Sequence, residues 1–350
     1  IRQPAHACGV CGFKPTGGRL PLQGHWTSAN WPVDWAQPGP MARHAQDLFL
    51  AMSVLGTPLD GPIGGEAPSP TEPPDEGEVS SLRIGVYEQL DDAPANPAVR
   101  RAVGDARRAL QAAGLEVVDY TPQHVTELWD LYMRIFYAEG LRDMRNQLKG
   151  SLVDHRIRQY ILLARLPRVL RPLAASVLQM LGSQRSAHLL KILGRPRLPV
   201  DEYCQLLLQV QAARLRFGRR LKRDRIDLLL GPANPVPAFP HGEFYANYSL
   251  IYTGIYNLLG LPAGVVPARR VRPDEVSQPP GPRDDVDQAL WRSQLDAAGL
   301  PVGVQVIGPW WSDNRVLSIL CLLQQKLQQD SEYPSGPPTL QGGNFPQEPG

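Results

Sequence analysis

Five short segments are largely apolar on both faces: residues 82–87, 115–120, 226–230, 262–267 and 302–307. A half-wet strand alternates apolar and polar side chains; these do not, so each is expected to lie in a sheet covered on both sides. Residues 97–113 read as a helix stopped by Gly114 and lie between the first two segments. Strand, helix and strand with short connections form a βαβ unit and predict parallel pairing. The fold class expected is α/β, a mixed, mostly parallel sheet flanked by helices on both faces.

The rest of the chain supplies those helices. Ala42, Ala45, Leu48, Phe49, Met52 and Leu55 recur every three or four residues, one apolar helical face, and residues 314–329 form a last helix. Residues 121–230 are mostly helical, with Leu206, Val210, Ala213, Phe217 and Leu221 marking a buried face. The opening residues are strand-like and run into a Gly- and Trp-rich loop from Gly24 to Gly39. Residues 56–81 read as a Pro/Gly/Glu-rich surface loop and 331–350 as a disordered tail, leaving 1–330 as part of a single domain.

At 350 residues, 43% hydrophobic and 20% charged, the composition is that of a globular chain, and a net charge of +2 names no partner. Four cysteines are too few for a disulfide framework. Cys8-x-x-Cys11 has no second Cys or His pair at ligand spacing, so it reads as two small buried residues at a turn and no metal is expected. The seven His are scattered, Ser28 reads as a solvated loop hydroxyl, and Lys14 reads as a solvated or capping amine. Gly17-Gly18 is a turn, since no phosphate-loop residues surround it.

From His155 to Val200 there are 46 residues without Asp or Glu, with eight Arg and Lys191 among many Leu, Ile and Val. The uncharged run from Pro172 to Gln184 is too short for the roughly 20 residues that span a bilayer. Two readings remain open: a basic amphipathic helix pair at residues 156–193 that lies on an anionic membrane surface, or a core-packing pair with solvated arginines. Arg214 to Arg225 is a second basic cluster. Without interleaved aromatics it reads as a solvated helix end, and no nucleic-acid partner is expected.

The segments Cys8-Gly-Val-Cys-Gly-Phe-Lys-Pro-Thr-Gly-Gly-Arg19 and Gly39-Pro-Met-Ala-Arg43 resemble those of the amidase signature hydrolases. Within that family, residues 82–87, 252–257, 261–267 and 299–305 are similar to the fatty acid amide hydrolases. The resemblance implies amide hydrolysis by a Ser-Ser-Lys triad without metal or organic cofactor. In the family the nucleophilic serine immediately precedes the position of Ile1. The triad and its oxyanion loop are thus expected upstream, with the N-terminal part of the fold missing and no catalytic residue in this chain. The resemblance also implies that 156–193 is a membrane cap and that Phe136 and Tyr160 line a channel for the substrate, with plain core packing the alternative for both. Arg269 and Arg270 depart from the two hydroxyl residues of the subgroup, a change that would narrow or charge that channel. Arg2 would orient the nucleophile turn or pair with an upstream Asp. The expected partners are a lipid amide and an anionic membrane, with a homodimer left open, in an intracellular, peripheral location. The alternatives are a generic amidase, a non-catalytic membrane-associated binding protein, or a glutamine-dependent amidotransferase subunit.

Overall fold

The computed structural model describes residues 1–22, 25, 35–55, 76–90, 93–138, 142–154, 158, 167–193, 198–240, 249–276, 284–292 and 294–336. Among them are strands β1 (Cys11–Lys14), β2 (Met41–Ala42), β3 (Arg83–Val86), β4 (Glu116–Asp119), β5 (Leu228–Pro232), β6 (Ala263–Arg270) and β7 (Pro301–Ile307). They form one sheet in the order β2-β1-β6-β7-β5-β3-β4. The helices are α1 (Arg2–Cys8), α2 (Ala45–Leu55), α3 (Glu76–Ser80), α4 (Pro97–Ala112), α5 (Val125–Phe136), α6 (Arg142–Gln147), α7 (Arg171–Met180), α8 (Gln184–Leu193), α9 (Val200–Arg223), α10 (Ile251–Leu258), α11 (Asp285–Arg292) and α12 (Asp313–Leu327).

The sheet is mixed, as expected, but its parallel share is smaller than expected. Among the described residues only β3 pairs parallel, with β4 and with β5, while the pairings among β2, β1, β6, β7 and β5 are antiparallel. The reason lies in the connections. α4 crosses between β3 and β4, which forces them parallel. The long link from β6 to β7 instead leaves and returns at one end of the sheet, where Val271 N donates to Leu300 O (2.9 Å) and Gly299 N to Val271 O (2.8 Å). A link closed in that way makes the two strands antiparallel whatever its length.

Burial follows from the two-sided cover. β5 and β7 are buried at every position and β6 at all but Arg270. Leu228 and Leu230 join α2, α4 and α12 in one core, while Leu229 faces α5, α9 and α10 in the other. Each fully buried Leu or Met, such as Leu48, Met52 and Leu320, contributes about 1.5–3 kcal/mol. β4 departs from the expected cover because it is the edge strand: Glu116 and Asp119 are exposed and pair with Arg83 and Arg107.

α4 starts one residue after Asn96, whose Oδ1 accepts from Ala98 N (2.7 Å), with Pro97 in its first turn. The chain start is a helix rather than the expected strand; Gly9, at φ 65, ends it in a left-handed turn that lets the chain reverse into β1. Most of the expected loop at 56–81 lies outside the described residues, and its last part is α3. Residues 331–336, expected in the tail, pack against the fold instead: Tyr333 is buried, accepting from Gln324 Nε2 (3.0 Å), and Glu332 pairs with Arg101 and Arg272.

α7 and α8 make a hairpin held by Ala175, Ala187 and Leu190. The larger apolar groups point away from that contact, leaving Val169, Leu170, Leu173, Val177, Met180 and Leu181 exposed. Among the described residues no helix is long and apolar enough to cross a membrane.

Candidate functional site

Three segments far apart in the chain meet at Arg2. Its guanidinium is buried and donates to Gln305 Oε1 (2.5 Å) on β7, and to Thr253 O (2.8 Å) and Asn257 Oδ1 (2.5 Å) on α10. Gln305 in turn donates to Pro232 O (3.2 Å) and Tyr252 O (3.0 Å). Burial lowers the Arg2 pKa to about 10, with Tyr256, Tyr87 and Tyr132 acting the other way. One turn on, Gly303 N donates to His6 Nδ1 (3.1 Å) and His6 Nε2 lies 2.9 Å from Val236 O. His6 Nδ1 lies equally close to Gly303 O (3.1 Å), and burial lowers the pKa of the ring. These bonds fasten the first turn of α1 to the sheet. Among the described residues Arg2 is bound by neutral acceptors rather than by a carboxylate.

Aromatic rings build a wall beside this network. Trp35 stacks on Tyr132 (centroids 5.0 Å apart), Tyr132 on Trp129 (5.3 Å) and on Phe136 (5.8 Å), and Phe136 meets Tyr137 edge-on (4.8 Å). Gly254 permits the stack, since a Cβ there would press 3.1 Å from the Trp129 ring. Tyr87 and Tyr256 share a hydroxyl hydrogen bond of 2.8 Å, and Tyr252 Oη accepts from Leu90 N (2.9 Å) while donating to Ala93 O (2.5 Å).

The tyrosines carry a pH prediction. Burial raises the phenol pKa of Tyr87, Tyr256 and Tyr132, the last to about 12. A phenol raised in the folded state contributes stability that is present in full below its unfolded value near 10 and lost as pH rises through the folded value. Arg2, lowered from 12.5 to about 10, acts in the opposite sense over that window, but it is one group against three. Stability is therefore expected to fall above about pH 10. Phenolate absorbance should rise together with loss of tertiary circular dichroism; three phenols ionising while the fold stays intact would contradict it.

Phe136, an expected channel residue, is partly buried at the end of α5 and forms the last stacked ring of the column. Tyr160 lies outside the described residues, as do Ser28, His155 and His241. Lys14 is buried rather than solvated and donates from Nζ to Pro15 O (2.6 Å). Cys8 is exposed and Cys11 buried, so the expected buried pair is half right. Arg269 is buried between Asp105 (2.6 Å) and Asp330 (2.9 Å), and Arg270 donates to Gly299 O (2.8 Å) and Gly336 O (2.5 Å). Both arginines spend these donors at the α4 and C-terminal side of β6, whereas the aromatic wall belongs to the core on the other face. The expected charging of the channel is corrected accordingly. Among the described residues no group of three His, Cys, Asp or Glu is placed to hold a metal ion.

A second cluster explains the Lys14-to-Arg19 segment. Asp313, fully buried at the start of α12, accepts from Thr16 N (2.9 Å) and Thr16 Oγ1 (2.5 Å) and pairs with Arg19 Nε (3.1 Å). Asp313, Gln305 and Asn257 were missed as network members, because each looks locally like an ordinary helix or strand residue.

The Amidase family model matches residues 1–317. The chain is 29% identical over 336 residues to "Fatty-acid amide hydrolase 1" of Sus scrofa, covering 91% of this chain and 56% of that protein. It is 27% identical over 354 residues to a glutamyl-tRNA(Gln) amidotransferase subunit of Nitrosococcus oceani, covering 96% and 64%. A solved structure described as "Fatty acid amide hydrolase" superposes with a TM-score of 0.67 at 20% identity, covering 93% of this chain and 54% of that one. The chain thus spans 56% and 64% of the length of these two curated relatives. With its motif segments converging on Arg2 and Asp313 in a mixed α/β sheet, the chain belongs to the Amidase family.

Proposed function

We propose that the full protein is a serine amidase hydrolysing fatty acid amides or related lipid amides, with its Ser-Ser-Lys triad upstream of Ile1. The observation that carries this reading is the aromatic column between buried Arg2 and a helix hairpin with an apolar outer face. α5 touches both: Tyr132 and Phe136 lie in the column, and Asp130 Oδ1 sits 3.7 Å from His188 Nε2 on α8. An acyl chain entering from a membrane under α7 and α8 would meet rings rather than charges. The Arg2 network fastens the start of α1 to β7 and α10, beside the position where the family resemblance places the nucleophile. Arg2 is a positioning residue in this reading. Phe136 and Tyr160 are the acyl contacts, and the location is intracellular and peripheral to an anionic membrane.

A polar-substrate amidase is the second reading, favoured by the amidotransferase relatives at 27–28% identity. The exposed apolar face of α7 speaks against it. Oleamide and a p-nitroanilide assayed on full-length protein and on the 350-residue chain separate the readings. Full-length protein is expected to turn over oleamide, while the chain beginning at Ile1 falls to the buffer blank, a loss of about a millionfold if the triad is gone. Turnover by the short chain sinks the triad placement, and a full-length preference for glutamine over oleamide sinks the lipid reading.

A further inference from the structure

We infer that the groove between the first turn of α5 and the last turns of α9 binds a phosphate monoester. A cavity of about 350 Å³ opens there, lined among others by Tyr120, His124, Arg216, Arg219, Arg220 and Arg223. Arg216, Arg220 and Arg223 follow at steps of four and three, so they share one face of α9, with Arg219 at its border. Two carboxylates answer the four guanidinium groups. Glu127 Oε1 accepts from Arg216 (2.5 Å), and Asp224 pairs with Arg220 (3.1 Å) and Arg223 (3.1 Å). Arg219 and neighbouring Lys222 make no ion pair among the described residues; Arg220 donates from Nη1 to Gln123 Oε1, and its buried Nε meets Asp224 outside hydrogen-bonding geometry.

The helix C-terminus offsets only about half a charge of this excess. Arg216, Arg219 and Arg223 are exposed and Arg220 half-buried, yet all four line the same concavity, where an anion from solvent could reach them together. Guanidinium forks match the oxygens of a phosphate, and a phosphate monoester brings nearly two negative charges where a carboxylate brings one. Two unbalanced guanidinium charges therefore favour the phosphate. The groove lies at the opposite end of α5 from Phe136, so this site is separate from the proposed acyl column.

The ligand's source is either a soluble phosphate ester or a phosphatidate headgroup, and one experiment covers both. Full-length protein is titrated calorimetrically with inorganic phosphate at constant ionic strength. It is also mixed with phosphatidylcholine vesicles with and without phosphatidate. Saturable phosphate binding is expected, weakened about tenfold or more in the R219Q/R223Q double variant. It should tighten in E127Q, which frees Arg216, and stay unchanged in R315Q, whose surface pair with Glu78 lies elsewhere. If free phosphate does not bind but phosphatidate vesicles do, with the same order of variants, the source is the lipid headgroup. Absence of both, or equal binding by R219Q/R223Q and R315Q, overturns the site.

Discussion

Asp313→Ala should lower folding stability by about 3–5 kcal/mol, the range for stripping one partner from a buried ion pair. Asp313 is fully buried, and the Arg19 side chain it pairs with is 2% exposed. Truncation would leave that guanidinium without its carboxylate, together with a buried hydroxyl and amide of Thr16. The ring of Trp311 under Arg19, 5.1 Å from its carbon to the centroid, offers only partial compensation. Urea denaturation of the full-length protein should show a lower midpoint with an unchanged slope. The R19M/D313A double variant should recover part of the loss, because the stranded charge is then gone. A midpoint unmoved by Asp313→Ala would mean that Thr16 and Arg19 find other partners and that the clamp is ornamental.

The second large effect concerns the hairpin of α7 and α8. With full-length protein, binding to phosphatidylserine vesicles should rise with phosphatidylserine content and fall with salt. Each basic residue near such a surface is worth about 1 kcal/mol, so reversing Arg165, Arg168 and Lys191 to Glu removes about 3 kcal/mol of attraction before any repulsion counts. That is more than a hundredfold in affinity. Replacing Leu170 and Leu173 by Ser should weaken binding without changing its salt dependence, since these exposed side chains supply the apolar part. Vesicle binding by both variants equal to that of the parent would return the hairpin to an ordinary surface element. The cap test is independent of the arginine groove, because R219Q/R223Q changes neither α7 nor α8.

Much of the architecture could be read locally. The period of Leu206, Val210, Ala213, Phe217 and Leu221 named the buried face of α9, and all five are buried. Pro97, Gly114 and the apolar strands on either side gave the β3-α4-β4 crossover with its parallel pairing. The basic run ending α9 also read correctly as a helix end, with Arg223 its last residue and Asp224 its cap. Phe136 entered through family resemblance alone, since nothing in its neighbours distinguishes a channel ring from a core ring.

Sequence by itself determined what is periodic or capped over a few residues: which segments are strands, though not that β4 lies at the sheet edge, which helix faces are apolar, and which family motifs are present. Only the tertiary structure decided what meets across the chain. Arg2 finds Thr253 and Gln305 at separations of 251 and 303 residues, and Thr16 finds Asp313 at 297. It also decided that β6 and β7 run antiparallel, that α1 is a helix, and that Arg269 faces Asp105 instead of the aromatic wall. Helix and strand periods are written in neighbouring residues because local backbone sterics and solvent set them. The partner of a buried charge is set by which elements pack together, and no local pattern around Arg2 or Asp313 records that choice.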